Sequence, residues 1–171
     1  IATAGASLAW MFVEWMLAKK PSVLGMISGA VAGLVAITPA SGFVNASSAL
    51  IIGLMAGVVC YFSAVHLKRM FGYDDALDAF GVHGVGGIIG ALLTGVFAYG
   101  PLSADKDHPE GVYVGGMALL KSQVIAVGAT IIWSALITWV ILKIVDAAIN
   151  LRVTDDEERE GLDVVLHGER I

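Results

Sequence analysis

Charge is scarce in this chain: Asp, Glu, Lys and Arg make up 15% of its residues, against about a quarter in soluble domains. A soluble fold of 171 residues needs a polar coat that so few charges do not provide. They fall in short clusters between long apolar runs, the layout of a polytopic membrane protein. Basic residues number 10 against 15 acidic ones, and no basic patch is interleaved with aromatics, which excludes nucleic-acid binding. The net charge of −5 comes mostly from the acidic end of the chain. A single cysteine, Cys60, makes no internal disulfide and carries no compartment information. No leader is expected in this stretch: "IATAGASLAWMFVEW" has no initiator Met, basic n-region or small-residue cleavage site. The expectation is a piece of a longer protein that begins inside a membrane span.

What is present reads as five spans. They cover roughly Ala2–Leu17, Val23–Thr38, Ser47–Val65, Leu77–Ala98 and Val114–Ile149. The last would be about 50 Å long at 1.5 Å per residue, well beyond a ~30 Å hydrocarbon core, so it must tilt or project. Lys19, Lys20, Lys68, Arg69, Lys143, Arg152 and Arg159 fall at alternate span ends, which places those ends in the cytoplasm. On this reading residues 1–149 are a transmembrane bundle and 150–171 a cytoplasmic tail. Gly25, Gly29 and Gly33, then Gly53 and Gly57, then Gly86 and Gly90 repeat every four residues. Such stripes let helix backbones approach closely in a membrane, and they predict a compact bundle.

His83, in "FGVHGVGG", is the residue that apolar composition does not explain. One to two turns inside the fourth span, an ionisable group is expected to face the bundle interior or a wet cavity. Gly84, Gly86 and Gly87 leave room around it. Burial favours the neutral ring, which donates from one nitrogen and accepts at the other. That suits a small polar solute or a proton relay; the alternative is a histidine that merely bonds a neighbouring helix. A haem or metal role would need a second deep histidine, so no cofactor and no metal are implied. Asp74, Asp75 and Asp78 open the same span, with Asp75-x-x-Asp78 resembling a capping box and capping expected of Asp74. Asp78, five residues before His83, is placed to fix a helix or attract a cation. Thr38 precedes Pro39, which has no N–H, so backbone carbonyls are expected to be left exposed there. Glu14 is read as interfacial or packed on a neighbour's amide, and His66 as interfacial. His108 falls in an acidic loop and His167 in the tail. Trp10, Trp15, Trp133 and Trp139 read as belt or packing residues.

The stretches "DAFGVHGVGGIIGALLTGVFA", "ATAGASLAWMFVEWMLAKKPSVLGMISGAVAGLVAITPASGFV" and "LRVTDDEEREGLDVVLHGE" resemble the ammonium transporter family, and the resemblance covers nearly the whole chain. It implies an all-α polytopic fold of eleven helices in two inverted repeats plus a long tilted last helix, assembled as a homotrimer with one pore per subunit. The five helices here would be the second half, from part of the seventh helix onward. His83 then looks like the second of two pore histidines and Asp78 like the aspartate near the cytoplasmic pore exit. Asp75 looks like the helix-start aspartate, and Thr38 like the threonine beside the pore. Gly161, Asp163, His167, Gly168 and Glu169 fall in the tail that packs under the subunits and takes part in control by PII-type regulatory proteins. Gly86 stands where some relatives have cysteine.

The implied function is transport of ammonium or ammonia across the cell membrane, not enzymatic catalysis. Ammonium would be recruited outside by cation–π contact, lose its proton, and cross as ammonia along paired imidazoles. The first histidine and the outer aromatic cage would lie in the other half, so 171 residues alone should not transport. The alternative reading is an ammonium sensor that signals to cytoplasmic partners with little flux.

Overall fold

The computed structural model describes residues 1–102 and 110–168. Every regular element among them is helical. Helix α1 spans Ala2–Ala18 and α2 Val23–Ile37, the latter extended by a 3-10 turn at Thr38–Ala40. Helix α3, Ala46–Phe62, runs through a π-helical turn at Ser63–Leu67 into α4, Lys68–Phe71. A second π-helical turn, Ala79–Gly84, opens α5, Val85–Phe97. Then come α6 (Ala118–Ile149), α7 (Asp155–Glu160) and α8 (Leu162–His167).

By length and apolarity, residues 23–40, 46–71, 79–97 and 118–149 are each able to cross a membrane. Helix α1, with 17 residues, stands at the lower end of the range of about 17–25 that suffices for a span. Each of the five expected spans is thus a helix, and four of them are long and apolar enough to cross a membrane. The fourth starts two residues later than predicted and the fifth four residues later, because Asp78 and the 3-10 turn at Val112–Val114 break the apolar runs.

Residues 1–127 and 128–171 form two compact units. In the first, α1 lies against α2 and α3, and α5 packs on α2 and α3. Its core is built of small residues around a few large ones. Trp10, Ala32, Cys60, Tyr61, Ala64 and Val82 form one cluster, and Ala36, Ala40, Ile52, Ala56 and Leu93 another. Trp10 meets Tyr61 edge-on at 5.6 Å, an arrangement favoured by the ring quadrupoles. The glycine stripes are what let these helices touch. A Cβ on Gly33 would stand 2.7 Å from the Ala2 carbonyl oxygen and from the Ala6 Cβ, and one on Gly57 2.8 Å from the Ala9 Cβ. On α5, a Cβ on Gly86 would meet Cys60 Sγ and Val35 Cγ1 at 3.3 Å, a tight but less forbidding fit.

The helix ends carry their own signals. Ser22 Oγ accepts from the Gly25 N–H at 2.9 Å and Asn45 Oδ1 from the Ser48 N–H at 2.9 Å, each cap contributing about 1 kcal/mol. Glu14 accepts from the Ser22 N–H at 3.1 Å and the Ser22 hydroxyl at 2.9 Å, tying α1 to the start of α2. It thus finds the amide expected of it. The part of α6 in the second unit is apolar yet has no buried residue, with Trp133 and Trp139 exposed. Beyond it, Thr154 and Glu157 form a reciprocal capping box on α7. Gly161, at φ +100°, joins α7 to α8, and Gly168, at φ +67°, closes α8.

Candidate functional site

The candidate site gathers where α4 hands the chain to α5. Helix α4 ends at Gly72, whose φ of +63° turns the backbone away, a conformation cheap only for glycine. Six residues later Asp78 adopts φ +52° and the π-helical turn begins. Such wide turns place an extra residue in a helix and concentrate at functional positions. Two of them face each other here: Gly81 lies so near Ala64 that a Cβ would stand 2.9 Å from the Ala64 Cα.

Capping falls to Asp75, at the helix start where the resemblance puts it, and not to Asp74. The Asp75 carboxylate accepts from the Phe80 N–H at 3.3 Å and the Gly81 N–H at 3.0 Å, satisfying donors left open at a helix start. Asp74 is exposed and caps nothing among the described residues. Nor is there a reciprocal capping box, since Asp78 makes no side-chain cap. Its carboxylate is bound by the Lys68 ammonium, which also donates to the Asp75 carbonyl at 3.0 Å. The Asp78 carboxylate is thus paired with a cation of the chain itself and serves no side-chain cap.

His83 stands on the outer face of the π-helical turn. Gly81 and Val82 are buried against α3 and α2, whereas His83 is exposed. The enclosure expected for this ring is not supplied by the described residues. The face beside it is open: Gly87, one turn further on, has no atom within 4 Å of where a Cβ would stand. Phe80, in the same turn, lies edge-on to Tyr73 at 5.8 Å. His66, by contrast, leans on Tyr61 and Phe62 with ring centroids 5.9 and 5.2 Å away.

Thr38 lies apart from this cluster, at the far end of α2, where its 3-10 turn packs on α5. Its hydroxyl donates to the Leu34 carbonyl at 2.7 Å. The Val35 carbonyl, which Pro39 cannot serve, accepts instead from the Thr38 N–H. The exposed carbonyls expected there are thus taken up, because the backbone tightens to 3-10 geometry. In the tail, the Gly161 carbonyl accepts from the Val164 and Val165 N–H groups at 3.1 and 3.0 Å. Asp163 sits in the first turn of α8 and His167 in its last; Glu169 lies outside the described residues.

Sequence reasoning missed the part played by Lys68, which it read only as a marker of sidedness. A lysine and two aspartates bracketing a glycine-containing turn was the available signal. Hydrophobic periodicity gave no hint of either π-helical turn, since one extra residue does not disturb an apolar run.

Comparison with known proteins agrees with this architecture. The family model described as Ammonium Transporter Family matches residues 1–171. An ammonium transporter of Bacillus subtilis (strain 168) is 47% identical over 169 residues, covering 99% of this chain and 41% of the relative. The crystal structure of Saccharomyces cerevisiae Mep2 superposes with a TM-score of 0.84 at 35% identity, covering 91% of this chain and 36% of that one. A structure titled Sensor Amt Protein superposes with a TM-score of 0.82 at 29% identity, covering 95% of this chain and 39% of that one. The chain thus spans about two fifths of the length of the curated relatives it matches. With the motifs, the helix order and a family model matching from end to end, this all-α, multi-pass membrane chain belongs to the ammonium transporter family.

Proposed function

We propose that this chain supplies one half of a pore that carries ammonium across a cell membrane, with His83 as the inner of two imidazoles lining it. The observation that carries the reading is the open strip formed by His83 and Gly87 on an apolar helix of a chain matched throughout by the family model. An exposed imidazole on a membrane-spanning segment is costly in lipid and calls for a polar partner or a wet cavity. A facing half of the protein would provide one. In that passage ammonium gives up a proton before crossing, because a charged ion is expensive to move through a dry channel. Ammonia then passes along the rings, accepting a hydrogen bond from one nitrogen and donating to the other. The proton travels separately through the imidazole pair and rejoins ammonia inside. Potassium has no proton to shed and is excluded.

Asp78 marks the inner exit, Asp75 holds the start of the pore helix, and Thr38 lies toward the outer end. The protein acts as a transporter rather than an enzyme, and assembles as a homotrimer. Residues 1–149 form the membrane bundle and 150–171 a cytoplasmic tail. There Gly161, Asp163, His167, Gly168 and Glu169 belong to the surface that engages a PII-type regulatory protein.

The test is His83→Ala in the full-length protein reconstituted in liposomes. The expected outcome is loss of proton-coupled ammonium current, or entry of potassium. Wild-type current with unchanged selectivity would overturn the role given to this ring. The likeness to the structure titled Sensor Amt Protein favours a second reading, ammonium sensing with little flux. Absence of current from the unsubstituted protein, together with ammonium-dependent binding of a cytoplasmic partner, would decide for it.

A further inference from the structure

Lys68 sits one residue after the first π-helical turn and Asp78 one residue before the second. The Lys68 ammonium joins them, and it grips the intervening turn twice, through the Asp75 carbonyl and the Asp78 carboxylate. That same turn is closed by the Asp78 N–H donating to the Asp75 carbonyl at 3.1 Å. From it the backbone continues through the Val82 N–H, which donates to the Asp78 carbonyl at 2.8 Å, directly into His83. The two side chains are 28% and 32% exposed, so the pair is partly withdrawn from water. Arg69, the next residue, is exposed and makes no such contact. A lysine that served only to mark sidedness would resemble Arg69.

Resting on the pore reading above, we infer that Lys68 is the positioning residue of the pore histidine. By clamping the Asp75–Asp78 turn to the start of α4, it sets the height and the rotation of the His83 ring. Among the described residues the ring has no hydrogen-bond partner of its own, so within this half its place is set by the backbone that carries it. That backbone is held by Gly81 against Ala64 on one side and by Lys68 below. Without the ammonium, the Asp78 carboxylate, on a residue at φ +52°, loses its one partner among the described residues, and the first turn of the π-helical segment is held only by Asp75 and by Gly81 against Ala64.

The experiment compares K68M, K68R, D78N and the double variant K68M/D78N in the full-length protein. Ammonium current is measured per folded molecule in liposomes, with melting temperature and the ¹⁵N resonances of the His83 imidazole recorded alongside. K68M is expected to lower the current by about tenfold or more, as small misplacements of a reacting group do. It should shift the imidazole resonances while the folded fraction stays near wild type. K68R, which keeps a cation there, should recover most of both. The double variant should be no worse than the more impaired single one, because the partners act as a unit. Should K68M fail to fold, D78N carries the same comparison, since it keeps the shape and removes the charge. Current within twofold of wild type together with unmoved resonances would overturn the inference, as would a loss of current that merely tracks a lower melting temperature. If the unsubstituted protein carries no current, the transport reading fails, and the resonances alone decide whether Lys68 positions the ring.

Discussion

At the scale of single residues, the glycines separate into those that are filled against a neighbour and those that are not. Gly33 abuts the backbone of α1, while Gly87 faces open space. Gly33→Leu should therefore destabilise the bundle by about 3 kcal/mol or more, in the range of overpacked interiors or beyond it. Gly87→Ala should leave the melting temperature unchanged or raise it, since alanine is the better helix former by about 1 kcal/mol. Thermal unfolding in detergent checks both, and equal effects at the two sites would contradict the packing described. The periodicity of these glycines was legible in the sequence because close approach demands it. What each glycine touches was not, because that depends on which helices become neighbours. That Asp75 and not Asp74 does the capping has a similar cause: both carboxylates are adjacent to the helix start, and which of them reaches the free N–H groups depends on the path of the backbone through the left-handed residue Asp78.

At the scale of elements, the span boundaries followed from apolar runs and came within a few residues. The wide turns at Ser63–Leu67 and Ala79–Gly84 did not, for they alter the winding of a helix without altering its composition. Helix α7 was also unread, although Thr154 and Glu157 have the spacing of a capping box. There the Glu157 carboxyl is held below its usual range, first by the Thr154 backbone N–H and then by the Thr154 hydroxyl. The folded form thus favours the ionised acid. The stability this contributes is fully present above the unfolded carboxyl value, about 4.3, and is lost as pH falls through the lower folded value. Amide exchange across residues 157–161 in the intact protein, corrected for intrinsic rates, should accelerate below that pH. Thr154→Ala should abolish the pH dependence and leave exchange fast throughout. A profile that stays flat with Thr154 in place would count against the box.

At the scale of the whole molecule, family membership fixes the architecture, whereas the enclosure of His83 was not to be read from this stretch of sequence alone. An imidazole on an open helix face makes sense only with something across from it. The proposed sidedness is open to a direct check. Cys60 is fully buried, so it should stay silent toward a membrane-impermeant thiol reagent, and cysteines placed one at a time can report their own position. Reporters at Lys20, Arg69 and Arg152 should label only from the cytoplasmic side, and reporters at Ser41 and Tyr99 only from outside. Labelling of Lys20 and Ser41 from the same side would refute the alternation that lysine and arginine suggest.

The paired wide turns bear on mechanics as well. A rung that spans five residues instead of four gives each helix a local pitch different from that of a regular α-helix. Both turns lie at one level of the bundle and press on each other through Gly81 and Ala64, so that a change of pitch in one is felt by the other. Any yielding at this end would be a concerted change of pitch in two adjoining rods, not the swing of a single loop.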